Sequence, residues 1–520
     1  MKKGFNKKKM LFLITAVCLV GLIGVGVSYA YYLANFSVSN QGNANSNLTT
    51  TLTTDVVMDM QGKYAPSNAV PGFKGVKEVV VRGLGEKNSA PSEASIQITP
   101  DFADFGNDIT WKLYKSDTPI TCTSKVKEGI QYYDEATCDI PKSASLLLEG
   151  GTESNYLNIT VNPLTETKYY LVVEYSNNGD QSSQMGKSFS ITIGLGSKMT
   201  AVDRIIAQLD TTGKCPSVNN DGSVSVTAVE ATNGYLCKAK DAYGDSYYYR
   251  GNVTNNYVLF ADKYWRIVRI NGDGTVRVIY DGTSAHANGE SSSDRRIGES
   301  AFNSSDNDNA YVGYMYGAAG VSTYAVAHAN TNDSTIKAYI DDWYKTNILG
   351  TANEQYLADN VFCNDRSLAG DNSGTGAGTS NSFYRWSNGP WYSESYSKYN
   401  NKMMLTCPQQ NDAFTVSDTT NGNGALTYPV GLLSMDEVVL AGGWNEENSG
   451  YYLYTGQLWW TSSPDDFPDT FAQVHYVDWD GNAGINTGVY NANGVRPVLN
   501  LSSEILKNGN GTASDPYRIS

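Results

Sequence analysis

Histidine is scarce in this chain: His286, His328 and His475 are the only three in 520 residues, and no two stand at metal-ligand spacing. Cys-x-x-Cys does not occur either, so a zinc centre has no recognisable donor set, and neither a metal nor a cofactor is expected. Nucleophile-elbow, metalloprotease and phosphate-loop patterns are absent. Three scattered imidazoles give acid and base chemistry little to work with, which argues against an enzyme. Adjacent acids, Asp341 with Asp342 and Asp465 with Asp466, keep an extracellular carbohydrate-active enzyme as an alternative. Positive charge is short as well. Five of the 38 basic residues lie in the first ten positions, leaving 33 against 53 acidic ones. A surface of that sign repels phosphate backbones, so nucleic acid is excluded as a partner.

One long apolar run is present. "MKKGFNKKKM" is followed by the uncharged "LFLITAVCLVGLIGVGVSYAYY", residues 11 to 32. Lysines ahead of an apolar stretch mark residues 1 to 30 as a signal peptide or a membrane anchor. Ser28-Tyr29-Ala30 fits small-x-small cleavage, while the run is nearly long enough to span as a helix, so both outcomes stand. Everything downstream is then expected outside the cell, secreted or at a bacterial surface, with the membrane met only through this segment. Six of the seven cysteines lie beyond it, in local couples: Cys122 with Cys138, Cys215 with Cys237, Cys363 with Cys407. Nearest-neighbour pairing, one of fifteen possible connectivities, suits an oxidising exterior. A Cys122–Cys138 bridge closes a loop worth on the order of 3 kcal/mol in the chain-entropy model.

Composition divides the rest. Residues 31 to 62 are rich in Asn and Thr and suit a polar tether or edge strands. From 63 to 196, "KEVVVRG", "SIQITPDF", "ITWKLYK", "LNITVNP", "KYYLVVEYS" and "KSFSITIGL" alternate between turn clusters, which predicts a β-sandwich. Beyond residue 200, "MTAVDRIIAQLD", "DSTIKAYIDDWYKTNI" and "SMDEVVLAGGW" carry helical spacing, the second with Asp333 or Ser334 as N-cap and the third with Ser434. "YVLFADKYWRIVRI", the turn "NGDG" and "TVRVIYDG" predict a hairpin; NGDG lacks the ligands of a calcium loop. Gly374, Gly376 and Gly378 have no flanking strand and helix, so a dinucleotide site is not indicated. The last hundred residues return to short strands, including "LWWTSSP", where Leu458 and Trp460 share one face and Trp459 takes the other.

"LWWTSSP", a following strand pair and "GVRPVLNL" resemble the C-type lectin fold in the broad bacterial form that includes formylglycine-generating enzymes and retroelement variable proteins. "KYWRIVRINGDGTVRVIYDG", "AYVGYMYG", "DDWYKTNI", "VFCNDRS", "PVGLLSMDEVVLAGG" and "GTASDPYRI" are similar, in that order, to surface proteins of low-GC gut bacteria. The resemblance covers about residues 200 to 520 and implies an α+β C-type lectin-like domain after the all-β sandwich. It also implies a ligand face on the loops of the last strands: Asp465, Asp466, Asp469, Tyr476, Asp478, Trp479, Asp480, Asn482, Asn486, Tyr490, Asn491 and Asn493. Aromatic faces and amide or carboxylate tips suit recognition, while the same Asn and Asp residues also serve plain turns. Departures are clear: "VDWDGN" is neither Glu-Pro-Asn nor Trp-Asn-Asp, and Cys363 and Cys407 lack the formylglycine-generating context. The leader, "VPGFKGVKEVVV" and the close on "SITIGL" make the N-terminal module similar to camelysin-type and biofilm-fibre proteins. The expectation is a surface protein binding a glycan or protein ligand for adhesion, with a structural matrix subunit as the alternative.

Overall fold

Period-two alternation builds the first half of the chain. In β3 (Lys74–Gly83), β4 (Ser92–Asp101), β5 (Ile109–Lys115), β10 (Glu166–Tyr175) and β11 (Ser190–Ser197), every second side chain enters one core. The computed structural model describes residues 48–53, 56–60 and 71–519, apart from short gaps of which 227–231 and 388–401 are the longest. The signal or anchor segment at 1 to 30, and the tether except for β1 (Leu48–Thr53) and β2 (Val56–Met60), lie outside the described residues. Contacts divide the chain into two compact units, Met1–Thr200 and Ala201–Ser520.

The first unit is a β-sandwich. One sheet has the order β1, β2, β3, β10, β5 and β8 (Ser145–Gly150); the other has β11, β4 and β9 (Asn155–Val161). Val79, Val81, Trp111, Leu113, Leu171 and Val173 from the first sheet meet Ile96, Ile98, Ile191, Ile193 and Leu195 from the second. Separate from both, β6 (Thr121–Lys127) and β7 (Ile130–Asp139) form a hairpin that places Cys122 directly opposite Cys138, and these two are bridged.

The second unit corrects the expected fold class. The α+β lectin-like domain is not found: 201–520 is a β-rich unit of antiparallel sheets with four α-helices among its described residues. These are α1 (Ala201–Ile206), α2 (Tyr324–Ala327), α3 (Thr335–Asn347) and α4 (Met435–Leu440), and only α3 exceeds two turns. The physical reason is local. Helical spacing in "AVDRII" and "MDEVVL" is real, yet each run lasts six residues, and Gly442, with φ of 119°, ends the second. Such pieces are too short to form a layer.

A seven-stranded sheet holds the centre of this unit. Its main path runs β12 (Gly234–Asp241), β13 (Gly244–Gly251), β15 (Lys263–Ile270), β16 (Val276–Gly282), β23 (Val498–Leu501) and β18 (Val430–Gly431), while β14 (Tyr257–Phe260) pairs with β15. The single arm read from "YVLFADKYWRIVRI" is therefore two strands. Ala261 and Asp262, with φ of 52° and 56°, make a tight hairpin turn without the usual Asn-Gly signal. A second sheet, in the order β17 (Glu299–Ala301), β22 (Ala492–Gly494), β19 (Trp459–Pro464), β20 (Gln473–Val477) and β21 (Ala483–Gly488), carries the predicted ligand residues. Disulfides join Cys215 to Cys237 and Cys363 to Cys407, so the three nearest-neighbour couples are all bridged, as suits an oxidising compartment.

Candidate functional site

Strand β19 starts with the two tryptophans, and both are buried on opposite faces of the sheet. Trp460 donates from Nε1 to the Ser300 carbonyl at 2.9 Å and meets Phe302 edge-on at 5.7 Å. Trp459 lies under the Arg496 guanidinium at 4.9 Å, so the arginine of "GVRP" and the first tryptophan of "LWW" form one contact. The pair locks a core and offers no ligand surface.

The predicted ligand residues fall into three groups. At one end, the β20–β21 hairpin loop holds Asp478, Trp479, Asp480 and Asn482. Asp478 is buried, and its Oδ1 accepts the backbone N–H groups of Asp480 and Asn482, both at 2.9 Å. This is turn chemistry. Burial raises the Asp478 carboxyl above the usual carboxylate range. Trp479 is 58% exposed, with its Nε1 donating to Asp480 Oδ2 at 2.9 Å. From beneath, Asn448 N–H donates to the Asp480 carbonyl at 3.0 Å and Ala483 N–H to the Trp444 carbonyl at 2.7 Å. Gly481, with φ of 76°, is required here, since a Cβ would fall 2.1 Å from the Asn448 carbonyl oxygen. Glu446 and Glu447 are exposed on the same supporting segment, and the Glu447 charge adds to the upward push on the Asp478 carboxyl. The supporting segment was missed in the sequence because it stands some thirty residues upstream with no pattern linking it to the loop.

At the opposite end of the same ladder, beyond the Gln473–Gly488 pair, lie Asp469, Tyr490 and Asn491. Tyr490 is 50% exposed and edge-on to Phe471 at 6.0 Å. Asp469 accepts from Asn381 Nδ2 at 3.5 Å, and Asn491 Nδ2 donates to Thr487 Oγ1 at 2.6 Å. Four residue steps along β20 separate the two ends, roughly 13 Å at strand rise. Trp479 and Tyr490 are thus both exposed but not brought together.

The remaining residues sit within the sheet or just past the end of β19. Asn493 is buried in β22 opposite Ser300, and Tyr476 is half-buried against Trp460. Asp465, expected on an exposed loop, is buried: it accepts from Asn486 Nδ2, and its Oδ1 lies 3.2 Å from His475 Nε2. The correction follows from register. Pro464 pairs with Val474 and continues β19, so the acids after it are still held against the sheet. Asp466, half-buried in a short bridge to Phe383, has its carboxyl pushed up to about 7 by burial and then by the neighbouring Asp465 charge.

A pH dependence follows. Asp466 is easier to protonate folded than unfolded, so its contribution is complete below pH about 4 and is lost as pH rises through about 7. Asp466→Asn is expected to flatten the fall in melting temperature across that window and to raise stability at pH 8. Thermal unfolding of the two proteins from pH 4 to 8 checks it; parallel curves contradict the assignment.

The model of a family described as a domain of unknown function, DUF6273, matches residues 379–503. No curated protein and no solved structure matches the chain. The matched segment takes in α4 and strands β18 to β23, yet it is not closed on itself. Strand β23 pairs with β16, and Arg496 Nη2 donates to Asp281 Oδ1 at 3.1 Å, both partners lying outside the match.

Proposed function

We propose that the protein is an extracellular surface protein, secreted or displayed by a bacterium, which recognises a glycan or protein ligand through the β20–β21 hairpin loop. The observation that carries this reading is Trp479. A tryptophan more than half exposed, on a loop fixed by Asp478, Gly481 and Asn448, presents a large flat face that loses little entropy on binding. The adjacent Asp480 supplies an acceptor for hydroxyl or cationic groups beside the ring. Three disulfides support a place outside the cell. Tyr490 is left out of this surface, because the hairpin holds it at the other end.

Binding of the full chain to glycan and host-protein arrays tests the reading. Trp479→Ala is expected to lower binding at least tenfold, about 1.4 kcal/mol or more, with no change in melting temperature, since the side chain carries little packing. Tyr490→Ala is expected to leave binding unchanged. Equal binding by the Trp479→Ala protein removes the hairpin from the function.

A further inference from the structure

A cleft of about 470 Å³ opens in the second unit, away from the hairpin in sequence. It lies between the turn after α1, the start of β12 and the loop after β13, and its size falls within the roughly 300–1,000 Å³ of small-molecule sites. Tyr235 and Tyr249 are part of its wall, and the Tyr249 hydroxyl is buried with no hydrogen-bond partner among the described residues. Gln208, Asn252, Thr254 and Asn255 surround them. Asn255 Nδ2 donates to Gln208 Oε1 at 2.8 Å, and Asn252 Oδ1 accepts from Asn288 Nδ2 at 2.7 Å. These two bonds fix the carboxamides and leave Asn252 Nδ2 and Asn255 Oδ1 without partners among the described residues, one donor and one acceptor.

Charge is the deciding feature. Among the described residues, the single carboxylate of the lining is Asp210, and both its oxygens are occupied: Oδ1 accepts from Thr212, and Oδ2 from the N–H groups of Lys214 and Cys215. Those bonds, led by the Thr212 hydroxyl, hold its carboxyl down to about 2, so it stays an anion whose oxygens are already taken up by its own loop. No cationic side chain lines the cleft among the described residues. The frame is stiff as well. The Cys215–Cys237 disulfide and the Asp210 N–H bond to the Leu236 carbonyl, 2.9 Å, tie the turn to β12. A stiff cleft of tyrosine and carboxamide, with no cation and with its one carboxylate engaged by its own loop, suits a ligand with many hydroxyl groups and an apolar ring face.

From this we infer that the cleft is a binding site for a neutral saccharide of one or two pyranose rings, distinct from the Trp479 loop. Saturation-transfer NMR on the full chain tests it, with lactose, maltose, cellobiose and N,N′-diacetylchitobiose as probes and glucuronic acid and glucosamine as charged comparators. At least one neutral disaccharide is expected to bind. Gln208→Trp, which plugs the mouth from an exposed position, is expected to weaken that binding at least tenfold, as is Tyr235→Ala. Should Tyr235→Ala melt early, the Gln208→Trp result decides. Trp479→Ala is expected to leave this binding intact, which separates the cleft from the hairpin reading. Silence from all four disaccharides, stronger signals from the charged comparators, or binding lost with Trp479→Ala but kept with Gln208→Trp overturns the inference.

Discussion

Replacing Asp281 with Ala is expected to prevent the 201–520 unit from folding at 37 °C. Asp281 is fully buried, and its Oδ1 accepts from Arg295 Nε at 2.9 Å, from Arg295 Nη2 at 2.7 Å and from Arg496 Nη2 at 3.1 Å. Arg266 Nη1 lies 3.9 Å from its other oxygen. All three guanidinium groups are themselves buried. Burial already holds Arg496 down to about 9 even with the carboxylate present. Breaking one buried pair costs about 3–5 kcal/mol, because the remaining charge is left uncompensated. Here one substitution strands three cations, against a domain stability of about 5–15 kcal/mol. Asp281→Asn is expected to fail in the same way, since an amide keeps the shape and loses the charge. Soluble yield and circular dichroism check both variants; a wild-type melting curve for Asp281→Ala would show that the arginines are neutralised elsewhere.

Trp459→Ala is the second large effect, on the order of 3–5 kcal/mol. The indole fills space between β19, the Arg496 guanidinium and the core, and β19 pairs there with Val477 of β20. Truncation leaves a cavity and removes the ring on which Arg496 rests. Trp459→Phe, which keeps an aromatic face and leaves a smaller void, is expected to lose less than half as much. Chemical denaturation followed by near-ultraviolet circular dichroism ranks the three proteins. Equal losses for Ala and Phe would mean that the ring face contributes nothing.

Helix signals show how far local chemistry reaches. Ser334 caps α3 by accepting from the Lys337 N–H, and Ser434 with Glu437 closes a capping box on α4, where the sequence predicts helix starts. What the first turn of α4 does beyond capping was not legible. Asp436 accepts from Arg385 and from Trp386 Nε1 at 2.8 Å, and Glu437 pairs with Arg277 at 2.6 Å. Two acids in the first turn of a short helix serve as counter-ions for arginines carried by other segments.

By itself the sequence determined most of the first unit's strands, the helix starts, the NGDG turn and the local cysteine couples, but not the Ala261–Asp262 turn. Alternation, capping and short-loop closure act over a few residues, and each leaves its mark in adjacent letters. Tertiary structure alone decided which polar residues face solvent. Asp281 and Arg496 meet across 215 positions only because β23 pairs with β16, and sheet order is not written in any local window. The same holds for the predicted ligand face. Asp465, Asp478 and Asn493 turn inward, and one ladder sends Trp479 and Tyr490 to its two ends, because register, not residue type, sets where a side chain emerges.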